Sequence, residues 1–75
     1  MRSAKQILDD QFLEMRWRCL SLAADLDRLA DAPGGSELLS SDPRVQKLLS
    51  ALQILTDNDS DRAQRVQMLF SDTGK

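Results

Sequence analysis

Apolar residues recur at helical spacing over the first 32 residues of the chain. Their spacing alternates between four and three residues at seven positions, which are Leu8, Phe12, Met15, Cys19, Leu22, Leu26 and Leu29. This unbroken heptad pattern, called the heptad seam below, is typical of a helix that packs lengthwise against another helix. No residue within 4–32 breaks a helix, and Pro33-Gly34-Gly35 follows directly. The pattern therefore predicts one helix over residues 4–32.

A second, shorter apolar stripe lies on another side of the same predicted helix. Its members follow one another by four, three and four residues, and we call them the Trp17 stripe: Leu13, Trp17, Leu20 and Ala24. At 3.6 residues per turn they point about 120–180° away from Leu8. Scattered apolar side chains are common on ordinary surfaces, but a helix with apolar stripes on two sides needs a partner on each side. We therefore predict that the Trp17 stripe is an interface.

The second half of the chain carries another helical pattern with a possible break. Asp42 suits an N-cap and Pro43 suits the first helical turn, so a helix is predicted to begin at Pro43. Apolar residues then keep one heptad register as far as Phe70, which favours a single helix over residues 43–71. The intervening DNDSD, residues 57–61, consists of poor helix formers, and Asp61 with Gln64 resembles a capping box. These features favour two helices, and the sequence leaves both alternatives open.

The two helical patterns predict an all-α fold. Residues 4–32 and 43–71 span 29 residues each, as expected of an antiparallel helical hairpin, and the connection is compatible with a short helical turn beginning at Ser36. A lone hairpin would expose much leucine. We therefore predict that residues 1–75 form a single small helical domain that dimerises into a four-helix bundle. The alternative is a monomeric domain with helices at about 4–32, 43–56 and 61–71, in which Trp17 packs against the third helix.

The alternating carboxylates Asp57, Asp59 and Asp61 raise the question of calcium binding. An EF-hand loop needs glycine at its sixth position and glutamate at its twelfth. Counting from Asp57, those positions hold arginine and methionine, so calcium binding is not predicted. In an antiparallel hairpin Asp57 and Asp59 would instead face Arg16 and Arg18. We predict inter-helix polar pairs among these four residues that fix the register of the hairpin.

Charge and composition argue against several other classes of protein. The chain carries 10 basic and 12 acidic residues, shared evenly between its two halves. This balance argues against strong binding to nucleic acid and against a basic membrane-surface helix. No stretch approaches the roughly 18 apolar residues of a membrane span, and the N-terminus lacks the apolar core of a signal peptide. A cytoplasmic location is therefore expected.

No recognisable set of catalytic residues appears in the sequence. There is no histidine and no glycine-rich phosphate loop, and Cys19 on the heptad seam is expected to be a buried, inert thiol. We predict no enzymatic activity, no cofactor and no metal. The leading hypothesis is a self-associating protein–protein interaction module, an adaptor, scaffold or regulator with an unidentified protein partner. The alternative is a small nucleic-acid-associated regulator that uses Arg16, Trp17, Arg18, Arg62 and Arg65.

Overall fold

The computed structural model describes residues 1–71, and the regular structure within them is entirely helical. The chain forms α1 (Ala4–Asp31), α2 (Gly35–Ser41), α3 (Pro43–Thr56) and α4 (Arg62–Ser71). The predicted all-α class is confirmed over this range. The chain divides into two units: Met1–Pro33, which contains α1, and a second unit that begins at Gly34 and contains the other three helices.

The ends of α1 follow from local chemistry. The Ser3 hydroxyl accepts a hydrogen bond from the Gln6 backbone N–H (3.2 Å), and the Gln6 side chain accepts one from the Ser3 N–H (2.8 Å). This reciprocal pair is a complete capping box. At the other end Ala32 is extended, the conformation that a following proline imposes on its neighbour. The predicted helix over 4–32 is confirmed to within one residue.

Helix α3 is the centre of the second unit, because α2 and α4 each contact it. The chain enters α2 through Gly34 at φ +83°, a left-handed conformation that glycine adopts without strain. The short helix expected to begin at Ser36 is present and begins one residue earlier. The Gln46 side chain donates a hydrogen bond to the Leu39 carbonyl oxygen (3.1 Å), which ties α3 to α2.

A small apolar core lies along one face of α3. Val45 and Ala51 are buried, with 6% and 7% of their surfaces exposed. Around them lies a group of half-buried apolar side chains from the same unit: Leu39, Leu48, Leu52, Ile54, Val66 and Leu69. Helix α3 begins at Pro43 as predicted, and the Asp42 side chain accepts a hydrogen bond from the Arg44 N–H (2.8 Å) as its N-cap. The burial of Val66 and Leu69 on α4 depends on the packing of α4 against α3.

The helix predicted to run from 43 to 71 is divided in two. Helix α3 ends at Thr56 and α4 begins at Arg62, so the continuous alternative is wrong and the break near 57–61 is confirmed. The reason is local: the five residues between the helices favour turns, and Asp61 has a left-handed backbone with φ +60°. These helix limits resemble those of the three-helix alternative. The hairpin, the dimer and, in the three-helix alternative, the packing of Trp17 against the third helix remain predictions.

Candidate functional site

The Trp17 stripe is exposed along the middle of α1. Leu13, Trp17 and Leu20 are 74%, 62% and 50% exposed, and Ala24 is half-buried. Because the four residues are three or four positions apart on one helix, they form a continuous strip about 16 Å long. Such a strip of large apolar side chains is the kind of surface through which helices associate.

The heptad seam adds apolar surface on another side of α1. Leu8, Phe12 and Met15 are each about half exposed, and no residue of α1 is buried. Cys19 lies on the same seam and was expected to be buried, but it is exposed, because within residues 1–71 nothing covers this part of the seam deeply enough to bury any residue of α1. Helix α1 therefore presents two apolar surfaces, as the sequence predicted.

Ion pairs occupy the polar surface of α1. Lys5 pairs with Asp9 (2.9 Å), Arg18 lies 3.8 Å from Glu14, and Arg28 pairs with Asp25. All of these side chains are exposed, so each pair contributes at most about 1 kcal/mol to stability. Arg16 lies on the same helix and is also exposed. The predicted pairing of Arg16 and Arg18 with Asp57 and Asp59 remains a prediction.

The five residues between α3 and α4, called the aspartate loop below (57–61), are held together by Arg65. The Arg65 guanidinium donates one hydrogen bond to each carboxylate oxygen of Asp57, at 2.8 and 2.9 Å. It also donates to the carbonyl oxygens of Ser60 (3.0 Å) and Asp59 (3.2 Å). Its planar fork of donors suits this set of acceptors. A single side chain on the first turn of α4 thus fastens the loop to the end of α3.

Backbone contacts complete the aspartate loop. Asp57 accepts the Asp59 N–H through its side chain (3.1 Å) and an Arg62 guanidinium N–H through its carbonyl oxygen (2.6 Å). The Asp61 carbonyl oxygen accepts the Arg65 N–H (3.0 Å) in the first turn of α4. Asp61 therefore stands where the predicted capping box begins, but its backbone is left-handed rather than extended as in ordinary N-caps.

The contact with Arg65 lowers the pKa of Asp57. The paired hydrogen bonds from the guanidinium, aided by the Asp59 N–H and opposed by partial burial, lower the Asp57 pKa from its ordinary 3.8 to about 2. The same contact raises the pKa of Arg65. Both carboxylate oxygens of Asp57 accept hydrogen bonds from Arg65. Its role here is to fasten two helices.

The structure also places the residues of the nucleic-acid alternative. Arg65 is bound to Asp57, Arg62 donates to the carbonyl oxygen of Asp57, and Arg18 lies near Glu14. A phosphate would have to compete with these acceptors for each guanidinium. Trp17 is exposed, so it is accessible to either kind of partner.

Sequence reasoning missed the bond between Asp57 and Arg65. The two residues are eight positions apart, which is not a spacing at which side chains meet on one helix. The available signal was the run of turn-forming residues, because an arginine after such a run can reach back to an acceptor before it. That reasoning requires the helix break to be assumed first.

Within residues 1–71 no group of three or more metal-binding side chains is placed to hold an ion. Nor does this part of the chain contain a helix with both the length and the apolar character to cross a membrane. No protein-family description, curated protein or solved structure matches the chain.

Proposed function

We propose that this chain is a non-enzymatic protein–protein interaction module that self-associates through the Trp17 stripe. The observation that carries the proposal is the exposure of Leu13, Trp17 and Leu20 in one strip of α1. Tryptophan is enriched at the centres of protein interfaces, where its large surface loses contact with water. Burial of this strip against a second copy would remove it from water and stabilise the pair.

The proposal assigns a different partner to each apolar surface of α1. The heptad seam packs against the helices of the same chain, in the antiparallel hairpin that the sequence predicts. The Trp17 stripe packs against a second copy, which gives a homodimeric helical bundle. An unidentified protein then binds a groove between helices of this assembly, as is usual for helical adaptors, scaffolds and regulators.

Sedimentation of the wild-type protein at micromolar concentration tests the proposal. We expect a dimer for the wild type. Trp17→Ala should raise the dimer dissociation constant by at least about 30-fold, the change that corresponds to about 2 kcal/mol at an interface anchor. The far-ultraviolet circular dichroism should stay unchanged, because an exposed side chain is removed.

Met68 on α4 supplies the matched control, because it is apolar and 63% exposed, against 62% for Trp17. Met68→Ala should leave the dissociation constant within about twofold, since isolated exposed apolar side chains contribute little. A wild-type protein that stays monomeric contradicts the proposal. Equal effects of the two substitutions would show that association depends on general apolar exposure and not on the Trp17 stripe.

A further inference from the structure

The side-chain hydrogen bonds that hold the bend between α3 and α4 lie within one short segment. Among residues 1–71, the Arg65 side chain donates its hydrogen bonds to residues 57–60, and the Arg62 side chain donates one to the carbonyl oxygen of Asp57. Apart from the packing of α4 against α3, these few hydrogen bonds hold the bend, and they lie far from the capped start of α3. The hydrogen bonds of the aspartate loop can therefore be removed without removing those that cap the start of α3.

The sequence on both sides of the aspartate loop is also suited to a straight helix. Val66 and Leu69 keep the heptad register of Val45 and Leu48 across the break. In a continuous helix Arg65 would lie four residues after Asp61, the favourable order for an acid–base pair. Arg65 thus has a second carboxylate available if it leaves Asp57.

The bent and straight forms each have a cost. The bent form keeps Asp61 at φ +60°, a conformation that is uncommon for residues other than glycine. The straight form places poor helix formers in a helix. It also brings the carboxylates of Asp57 and Asp61 together on one helix face, because residues four positions apart are neighbours there, and like charges repel. In addition, it separates Val66 and Leu69 of α4 from the surface of α3 in the same chain. The contacts of Arg65 with residues 57–60 favour the bent form.

We propose that the aspartate loop is a hinge through which two copies of this chain exchange α4. In the exchanged pair, α3 and α4 of each chain form one continuous helix, and α4 lies on α3 of the other copy. A second copy is the fitting occupant because its α3 offers the same surface that α4 covers in the bent chain. The exchange thus re-forms existing contacts between copies, which is why such swaps occur readily at hinge loops.

Spin-label distances within one chain test the exchange. Labels are attached to cysteines at Ser50 and Gln67, which are both exposed, after Cys19→Ser removes the native thiol. A straight helix separates the two Cα atoms by about 26 Å, at 1.5 Å per residue. The bent form gives a shorter distance, because α4 packs against α3. Dilution with unlabelled protein isolates the distance within a chain.

Arg65→Gln should produce a population at about 26 Å that grows with protein concentration. A mixture of copies labelled only at Ser50 with copies labelled only at Gln67 should then show a short distance between chains. Adding Asp61→Gly to Arg65→Gln should reduce both signals, because glycine adopts positive φ without strain. Arg44→Gln removes an equal charge outside the aspartate loop and should change neither distance.

Two outcomes would overturn the hinge. One is an unchanged distance distribution in Arg65→Gln at all concentrations. The other is loss of helical signal from α4 without any short distance between chains, which would show that Arg65 only holds α4 in place. The hinge is independent of the Trp17 stripe: Trp17→Ala should leave the distances within the Arg65→Gln chain unchanged. Failure of one proposal can therefore be told from failure of the other.

Discussion

Arg65→Gln should return the Asp57 carboxyl to an almost ordinary acidity. In the wild type the guanidinium donates to both carboxylate oxygens, and the Asp57 pKa lies at about 2 instead of 3.8. Glutamine has a shorter side chain, no charge and no fork of donors. Of the remaining influences, the Asp59 N–H and the charge of Arg62 lower the pKa, while partial burial raises it. We therefore expect a value close to 3.8 in the variant.

The measurement is a carbon-13 NMR titration of the Asp57 carboxyl between about pH 1.5 and 5.5, a range that brackets both values. Arg44→Gln is the control, because Arg44 lowers the pKa of Asp42 through a similar side-chain hydrogen bond. It should raise the Asp42 pKa and leave that of Asp57 at about 2. A wild-type Asp57 that titrates near 3.8 would refute the bidentate contact, as would an unchanged midpoint in Arg65→Gln.

The sign of the accompanying pH dependence follows from the same values. Because folding lowers the Asp57 pKa, the folded state holds this proton less tightly than the unfolded chain does. The stabilisation by Asp57 is therefore complete above about pH 3.8 and is lost as the pH falls towards about 2. Exposure of about a third of each side chain lets water screen the pair. Because Arg65→Gln lacks this contact, lowering the pH through this range should lower the melting temperature of the wild type more than that of the variant.

Two further substitutions test the helices themselves. Val45→Ala removes two methyl groups from a buried position and should lower the free energy of unfolding by about 2 kcal/mol; an unchanged urea midpoint would contradict the core. Ser3→Ala removes the hydroxyl that accepts the Gln6 N–H and should cost the start of α1 about 1 kcal/mol. Amide exchange in the first turn should speed up several-fold, and equal exchange rates would contradict the capping box.

Helix ends were the most predictable part of the fold. Asp42-Pro43 set the start of α3, and Pro33 after Ala32 set the end of α1. Each proline restricts its own backbone or that of the preceding residue, so its effect can be recognised from the local sequence alone. Helical spacing also places the members of the Trp17 stripe on one side of α1, but their use as an interface remains a prediction.

The bend between α3 and α4 could not be decided from the sequence. The heptad register across residues 57–61 argued for continuity, whereas turn propensities and the resemblance of Asp61 with Gln64 to a capping box argued against it. The deciding contact joins Asp57 to Arg65, and these residues meet only after the chain has already bent. Sequence reasoning had instead given Asp57 partners in the first helix. Periodicity indicates which residues share a side of a helix. The contact between Asp57 and Arg65 depends instead on the chain turning back between α3 and α4.

The short span of the aspartate loop has a consequence for folding kinetics. Its side-chain bonds join residues no more than eight positions apart, so closing it costs little chain entropy. Segments of this size meet on the submicrosecond timescale, long before distant parts of a chain find one another. The corner between α3 and α4 should therefore be present early during refolding. Substitution of Arg65 would then slow the appearance of native structure, whereas a contact made late would mainly change the unfolding rate.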